Sequence, residues 1–322
     1  MIQASDLTKR FGTAVALDSL TCQVPEGVIY GLVGSNGAGK STFLRLAAGV
    51  YRPDGGTLTV DGAAIWENPA IKEQIAFVPD ELYFLPQASL ERMSYTYADN
   101  FPDFSRERYT ELVQTFQLDP RANLNTFSKG MRRQAAIILA LSRRPRYLLL
   151  DEVFDGLDPI VRTLVRRLIY RDVMDRGASA IISSHSLREL EDTCDQLALL
   201  HKGGIVFESD MGDLQTSLIK LQVAFGPECA ADFTEEPFTT LGLDVVDFNR
   251  MGRVATLIVR GTATDATARL AALNPAPVLV EVLPLSLEEV FLYEMEAIGY
   301  RFGDVLESPQ TPQAPQSQEV AS

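Results

Sequence analysis

The chain has 322 residues, of which 46% are apolar and 22% are charged, and its formal net charge is −14. This length allows one large domain and a smaller one, with the composition of an ordinary globular protein. Residues 1–204 contain 23 Lys or Arg and 25 Asp or Glu, whereas residues 205–322 contain 6 and 18. Because an acidic module repels a phosphate backbone, nucleic acid is excluded as an expected partner.

The cysteines and the apolar runs indicate the compartment. Cys22, Cys194 and Cys229 lie far apart and lack metal-site spacing, which fits a reducing cytosol. The first residues have no apolar core of a secretory signal, and no apolar run approaches the roughly 18 residues that span a bilayer. The sequence therefore predicts a cytoplasmic protein whose role at a membrane, if it has one, depends on a partner.

The first part of the chain alternates between strand and helix patterns. Apolar and polar residues alternate over residues 2–24, as in an antiparallel hairpin. The apolar run Val28–Val33 leads through glycines into a helical segment, Ser41–Gly49, in the order strand, loop, helix. Further strands are predicted at Leu58–Val60 and Ile75–Val78.

The middle of the chain changes character. Residues 88–143 are charged, helical in period and poor in strand formers, which predicts an inserted helical subdomain. Two later runs, Arg146–Leu150 and Ala178–Ser183, are rich in strand formers and fit buried parallel strands. A hairpin of Leu197–Leu200 and Ile205–Phe207 is expected to close a first domain at residue 210.

Residues 211–303 predict a small accessory α+β domain. Its expected strands are Leu221–Phe225, Val254–Val259 and Val278–Leu283. Its expected helices are Ala263–Leu273 and Leu287–Ile298. Residues 304–322 are rich in Pro, Gln and Ser without apolar period, so this tail is expected to be disordered.

A glycine-rich motif follows the strand at Val28–Val33. Residues 34–42 read GSNGAGKST and match G-x4-G-K-[ST] between a predicted strand and helix. Glycines let successive backbone N–H groups turn toward a phosphate at a helix N-terminus. Lys40 would add a cation for the β- and γ-phosphates, and Ser41 a hydroxyl for Mg²⁺. The predicted nucleotide-binding residues are Gly34, Ser35, Asn36, Gly37, Ala38, Gly39, Lys40, Ser41 and Thr42.

A second motif is an apolar strand that ends in two carboxylates. Residues 147–152 read YLLLDE. Asp151 would hold the Mg²⁺ shell, and Glu152 would polarise the attacking water as a general base. Taken alone, such a pair could also be the solvated end of a strand, as a less favoured alternative.

Three further segments complete an ordered set of motifs. Residues 127–134 read FSKGMRRQ, residues 151–159 read DEVFDGLDP, and residues 183–186 read SSHS. With the two motifs above, they resemble the Walker A, signature, Walker B, D-loop and switch histidine of the ATP-binding cassette (ABC) family over residues 1 to about 210. The resemblance implies an α/β fold: a P-loop NTPase cassette with a RecA-like core, an antiparallel β subdomain and an inserted helical subdomain.

The resemblance also implies how the site is assembled. Two cassettes, identical or different, would pair head to tail and enclose two ATP molecules. Ser128 and the Gly130 amide would reach the γ-phosphate on the opposite protomer, where a helix N-terminus favours an anion. Asp158 would line the dimer seam, His185 would contact the γ-phosphate, and Phe11 would stack on adenine.

Two departures from the family pattern concern the signature and the Q-loop. Lys129 stands where the family usually has glycine, and Met131 where it has glutamine. After residues 75–79 the family usually has glutamine, whereas this chain has Asp80. Because a carboxylate can face a magnesium oxygen shell, we count Asp80 with Ser41 and Asp151 as candidate metal ligands.

The expected function is an ATP-hydrolysing subunit, with ATP and Mg²⁺, that drives a separate transmembrane permease for export from the cytoplasmic face of the membrane. Leu285–Met295 resembles the closing helix of bacterial exporter ATPases; alternatively, it is an amphipathic helix that packs on the accessory sheet. Two other functions stay open: a regulatory cassette with little turnover, and a non-transport ATPase of DNA repair or translation.

Overall fold

The computed structural model describes residues 1–227 and 233–297, so the predicted disordered tail and Cys229 lie outside the described residues. Its strands are β1 (Ile2–Phe11), β2 (Ala14–Val24), β3 (Ile29–Val33), β4 (Gly55–Val60), β5 (Ala63–Ala64), β6 (Ile75–Val78), β7 (Tyr147–Asp151), β8 (Ser179–Ser184), β9 (Gln196–His201), β10 (Gly204–Asp210), β11 (Leu218–Ala224), β12 (Asp244–Met251), β13 (Val254–Arg260) and β14 (Leu279–Leu283).

The helices are α1 (Lys40–Ala47), α2 (Pro69–Glu73), α3 (Leu90–Asn100), α4 (Arg106–Phe116), α5 (Lys129–Ser142), α6 (Pro159–Arg176), α7 (Leu187–Glu191), α8 (Met211–Ser217), α9 (Glu236–Thr240), α10 (Ala263–Leu270) and α11 (Leu287–Ala297). The segments predicted as strands at residues 28–33, 75–78, 146–150 and 178–183 are confirmed to within two residues. None of the helices in the described ranges is long and apolar enough to cross a membrane.

A six-stranded sheet in the order β10-β9-β3-β8-β7-β6 lies at the centre of the first part. All its neighbours pair in parallel except β9 and β10, which form the predicted hairpin. Every residue of β3 and β7 is buried, because helices or a second sheet cover both faces. That burial explains their uninterrupted apolar sequences.

Alternate residues of the central strands enter two different cores. Tyr30 and Leu32 pack with α1 and with an antiparallel sheet ordered β2-β1-β4-β5, whereas Ile29 and Val33 join the core of the helical side. The hairpin predicted over residues 2–24 is present and pairs Ile2 with Val24.

Three helices, α3, α4 and α5, occupy the segment predicted to be helical. Each begins after a serine whose hydroxyl accepts a hydrogen bond from a backbone N–H three residues later. These caps are Ser89, Ser105 and Ser128. Since an N-cap satisfies one of the unpaired N–H groups of a helix start, these serines fix where the helices begin.

The C-terminal part contains an antiparallel sheet ordered β12-β13-β11-β14. One face buries apolar residues of β11 and β13, such as Val223 and Leu257, together with Phe238 of α9 and Leu270 of α10. The edge strand β12 was not predicted, because it is mostly exposed and lacks apolar alternation. The domain boundary predicted at residue 210 falls between β10 and α8 and stays a prediction.

Helix α11, the last in the described ranges, joins the two parts. It packs against α7 and α8, and its buried Val290 and Met295 belong to the core of the helical side of the cassette. Its carboxylates also attach it to the C-terminal sheet, since Glu289 lies 2.8 Å from Lys220 and Glu294 lies 2.7 Å from Arg260. This helix therefore contacts both the cassette core and the C-terminal sheet, and its resemblance to the closing helix of exporter ATPases stays a prediction.

Candidate functional site

The glycine-rich loop between β3 and α1 is packed tightly against two strands. A Cβ on Gly34 would lie 2.3 Å from the Leu200 carbonyl oxygen. One on Gly39, whose φ is 114°, would lie 2.6 Å from the Ala16 carbonyl oxygen. Only glycine fits these close approaches, so the loop can pass over the start of α1 with its backbone turned inward.

The remaining loop residues divide by exposure. Asn36 and Gly37 are exposed, while Ala38 and Lys40 are buried; Ser35, Ser41 and Thr42 lie between these extremes. The exposed pair lies beside the N-terminus of α1, where the motif predicts that backbone N–H groups meet a ligand.

Lys40 is the first residue of α1 and its side chain is only 5% exposed. Its ammonium group donates to the carbonyl oxygen of Gly34 at 2.6 Å and lies 3.3 Å from the Glu152 Oε1. The cation is thus held at the loop, between the backbone and one carboxylate.

Asp151, at the end of β7, is completely buried. Its Oδ1 accepts hydrogen bonds from the Ser41 hydroxyl at 2.9 Å and from the Ser183 hydroxyl at 2.7 Å. Within residues 1–227 and 233–297, its Oδ2 has no hydrogen-bond partner. A buried carboxylate oxygen without a partner is costly unless a cation or donor meets it, so Asp151 and Ser41 fit a magnesium ion.

The same residues cannot complete a metal site alone. Among the described residues, no group of three or more His, Cys, Asp and Glu side chains could hold a metal ion. Magnesium ordinarily keeps several waters and binds through one or two protein oxygens plus substrate phosphates. The pair of Ser41 and Asp151 matches that ligand set.

Glu152 connects the lysine with the histidine. Its Oε2 lies 2.9 Å from the His185 Nδ1, and its side chain is only 12% exposed. His185 is 54% exposed, at the end of β8. A carboxylate held between a cation and an imidazole, beside the phosphate loop, can accept a proton from an attacking water.

Asp80 is the candidate whose contacts differ from expectation. Its Oδ1 lies 2.7 Å from a terminal nitrogen of Arg133, and its backbone oxygen accepts from the same nitrogen at 2.9 Å. Because Arg133 is 1% exposed, it needs a counter-charge, and Asp80 supplies it. These contacts do not place Asp80 with Ser41 and Asp151, so its role as a magnesium ligand stays a prediction that the geometry does not support.

Ser128 and Asp158 both cap helices at the surface. The Ser128 hydroxyl accepts from the Met131 N–H at 3.2 Å, and Asp158 Oδ1 accepts from the first turn of α6 at 3.0 Å. Both residues are exposed. The structure therefore brings neither to the cluster around Lys40 in the same chain, and each helix start is open to a partner.

The altered signature is tied to the loop that follows β7. Lys129 pairs with Asp155 at 2.5 Å, and this hydrogen bond lowers the pKa of the Asp155 carboxyl. A Cβ on Gly130 would lie 2.7 Å from the Gly156 carbonyl oxygen, so glycine is required there. The lysine found in place of a family glycine thus has a partner on the D-loop.

Phe11 lies at the end of β1 and is 46% exposed. Its ring meets Tyr51 edge to face, with centroids 5.3 Å apart, and the Lys9 ammonium lies over it. An exposed ring face is compatible with stacking on a base, and the predicted adenine contact remains a prediction.

Sequence reasoning missed two residues of this site, Ser183 and Arg133. Ser183 contacts Asp151 because β7 and β8 pair in parallel and place these two residues in register. Its position at the end of a predicted parallel strand was a usable signal, since the carboxyl ends of such strands meet at one edge. Nothing in the signature motif indicated that Arg133 reaches two loops at once.

Comparison with known proteins agrees with this geometry. Residues 17–155 match the family described as ABC transporter. The daunorubicin/doxorubicin resistance ATP-binding protein DrrA of Streptomyces peucetius is 34% identical over 230 residues, which is 67% of each chain. The chain belongs to the ATP-binding cassette family.

A second relative is similar over nearly the whole length of both chains. The ABC transporter ATP-binding protein YtrB of Bacillus subtilis (strain 168) is 27% identical over 292 residues, 91% of this chain and 97% of that relative. The solved structure of an ATP-binding subunit of an ABC transporter matches with a TM-score of 0.62 and 26% identity, over 67% of this chain and 92% of that one. The predicted P-loop cassette fold is confirmed, and the protein is an ABC ATPase that binds ATP.

Proposed function

We propose that this ABC subunit hydrolyses MgATP at the carboxyl edge of its central sheet and thereby drives export through a separate transmembrane permease. One observation carries the proposal. The Ser41 hydroxyl, the buried Asp151 carboxylate and the Glu152 carboxylate converge beside Lys40, with one Asp151 oxygen unpartnered among the described residues. A phosphate loop, a metal-binding carboxylate and a base are the minimum for hydrolysing a triphosphate.

The binding roles follow from chemistry and position. The amides of residues 34–42 and the Lys40 ammonium would bind the phosphates, helped by the N-terminal dipole of α1. Ser41 and Asp151 would hold Mg²⁺, which when bound neutralises charge on the phosphate oxygens. Phe11 would stack on adenine, with its exposed ring face available.

Glu152 is the proposed general base. Its carboxylate is 12% exposed and lies between Lys40 and His185. It can orient a water and accept its proton, while His185, which is more exposed, would contact the γ-phosphate.

The complete site requires a second cassette. Ser128 and Gly130 stand at the start of α5, a helix of 14 residues whose N-terminal dipole favours an anion. Because Ser128 and Asp158 are exposed, a second copy or a related cassette can bring its own phosphate loop to them. The proposed dimer is head to tail, with each ATP between the loop of one chain and the signature of the other.

Family membership supports the membrane partner and its direction. Cassettes of ABC transporters act with permease subunits, so we place this chain on the cytoplasmic face of the membrane. The relative DrrA is named for drug resistance, and export is the direction of transport that produces resistance. Residues 1–210 would form the cassette and residues 211–303 an accessory domain.

The test is Glu152→Gln. With MgATP, we expect phosphate release by the variant to fall by about 10²-fold or more, the size expected when a base is removed. Nucleotide should remain bound, and the variant should elute as a dimer in size-exclusion chromatography with light scattering. A variant that lacks the base but still binds ATP should accumulate as the ATP-bound dimer that precedes hydrolysis.

A second substitution tests the composite site. In the Glu152→Gln background, Ser128→Arg should abolish the dimer while each subunit still binds ATP, because a bulky cation blocks the start of α5. Thr115→Arg, on the exposed face of α4, is the matched control and should leave the dimer intact.

A Glu152→Gln variant that stays monomeric with its permease present would contradict the dimer. Absent phosphate release by the wild-type complex would favour a regulatory cassette.

A further inference from the structure

The carboxyl ends of β6 and β7 bring two loop residues to the same level. The strands are parallel neighbours, and their register pairs Val78 with Leu150. Asp80 and Glu152 each follow two residues later. The segment that carries the departure from the family glutamine is therefore adjacent to the proposed base.

Arg133 of α5 spans these two loops. One terminal nitrogen donates to the Asp80 carboxylate at 2.7 Å and to the Asp80 carbonyl oxygen at 2.9 Å. The other terminal nitrogen donates to the carbonyl oxygen of Glu152. A planar guanidinium presents donors in a fixed fork, so it sets the distance between its two acceptors; a lysine ammonium lacks this geometry.

The backbone of Glu152 needs such support. Its φ of 48° lies in the left-handed region, which an L side chain adopts only when its surroundings impose it. On one side, the Glu152 N–H donates to the Ser183 carbonyl oxygen at 3.2 Å and hydroxyl at 3.1 Å. On the other side, Arg133 holds the Glu152 carbonyl oxygen, so both ends of the residue are fixed.

Asp80 is the carboxylate that pairs with the charge of Arg133. The arginine is 1% exposed, and a buried guanidinium without a counter-ion is unfavourable. Asp80 is 41% exposed, so it neutralises the arginine from the rim of the site. A neutral glutamine would provide hydrogen-bond acceptors but no charge.

We propose that Arg133 is a positioning residue: with Asp80 as its counter-ion, it holds the backbone of Glu152 so that the carboxylate faces the attacking water. This inference rests on the proposed role of Glu152 as the base. The same helix begins at Ser128, so Arg133 also connects the signature to the base of its own chain and to the loop after β6. A movement of the loop after β6 would therefore displace Glu152 through the side chain of Arg133.

The experiment compares Asp80→Asn, Arg133→Gln and the double variant in the assembled transporter, with ATP hydrolysis and nucleotide binding measured separately. We expect kcat to fall about 10- to 100-fold in each, as for a small displacement of a reacting group. The KM and the binding of a fluorescent ATP analogue should stay within about 2-fold, since ground-state contacts are kept. The double variant should be no slower than Arg133→Gln, because both substitutions break one link.

Asp172→Asn is the matched control. Asp172 is also a carboxylate partner of partly buried arginines, at 2.7 Å from Arg176 and 3.5 Å from Arg108, but it lies on α6 away from the base. Asp80→Asn keeps an oxygen that can accept from Arg133 and changes a side chain that is 41% exposed, so we expect it to be the milder substitution and to test the link even if Arg133→Gln does not fold.

Each outcome is decisive. Wild-type kcat in Asp80→Asn and Arg133→Gln, with Glu152→Gln inactive, would overturn the positioning role and leave the proposed function intact. A raised KM with unchanged kcat would also overturn it, by showing a binding role instead. Full hydrolysis by Glu152→Gln would remove the proposed base, and with it both proposals.

Discussion

Replacing Ser183 by alanine tests how Asp151 is held. Ser183 is completely buried, and its hydroxyl donates to the Asp151 Oδ1 at 2.7 Å. Hydrogen bonds to charged groups contribute about 1.5–3 kcal/mol, so we expect Ser183→Ala to lower the free energy of unfolding by about 2 kcal/mol. The Glu152 N–H loses the Ser183 hydroxyl as one of its two acceptors but keeps its bond to the Ser183 carbonyl oxygen, so the main loss is at the aspartate.

The same substitution should weaken magnesium binding. A residue that orients a metal ligand typically contributes 10- to 100-fold to affinity, so the Mg²⁺ concentration for half-maximal hydrolysis should rise by about 10-fold or more. Denaturant unfolding measures the first effect and a magnesium titration of hydrolysis measures the second.

Ser184→Ala provides the control for this prediction. Ser184 is equally buried and donates to the Glu189 carboxylate at 2.7 Å, away from Asp151. Ser184→Ala should lower the free energy of unfolding by a similar amount and leave the magnesium dependence of hydrolysis unchanged. Two results would contradict this prediction. One is a free energy of unfolding of Ser183→Ala within about 0.5 kcal/mol of the wild-type value. The other is an equal rise, in both variants, of the Mg²⁺ concentration for half-maximal hydrolysis.

Three further predictions concern separate parts of the chain. Asp158→Ala should lower the free energy of unfolding by about 1 kcal/mol in denaturant and Asp158→Asn by less, because asparagine still caps α6; equal losses would contradict the cap. Gly34→Ala should destabilise the fold by about 1–3 kcal/mol and weaken ATP binding in a fluorescence titration, since its Cβ would meet a backbone oxygen at 2.3 Å; wild-type affinity would show that the loop can yield. The hydrogen bond from Lys220 lowers the pKa of Glu289 from 4.5 to about 2, so its stabilisation is present above pH 4.5 and is lost as pH falls toward 2. Glu289→Gln should therefore be less stable than wild type at pH 6 and converge with it in acid unfolding; a pH-independent difference would contradict this assignment.

Local patterns in the sequence were enough to predict the phosphate loop and the strand with two carboxylates. Residues 34–42 and residues 147–152 are each contiguous, and each lies between elements whose apolar runs are visible without long-range information. The same holds for the helices of residues 88–143, whose serine caps are local signals. The chemistry of those motifs depends on backbone turns that neighbouring residues specify.

Strand pairing and helix packing decided the rest. The contact between Ser183 and Asp151 exists because β7 and β8 are parallel and in register, which no spacing along the chain reveals. Asp80 was assigned to magnesium because it stands where the family has glutamine and carries a carboxylate, whereas its contacts are to Arg133, 53 residues later. The edge strand β12 lacks an apolar pattern because one side of it is open, so only pairing with β13 defines it. Sequence determines which groups a segment carries; the distances between groups from remote segments arise only when the sheet and the helices pack.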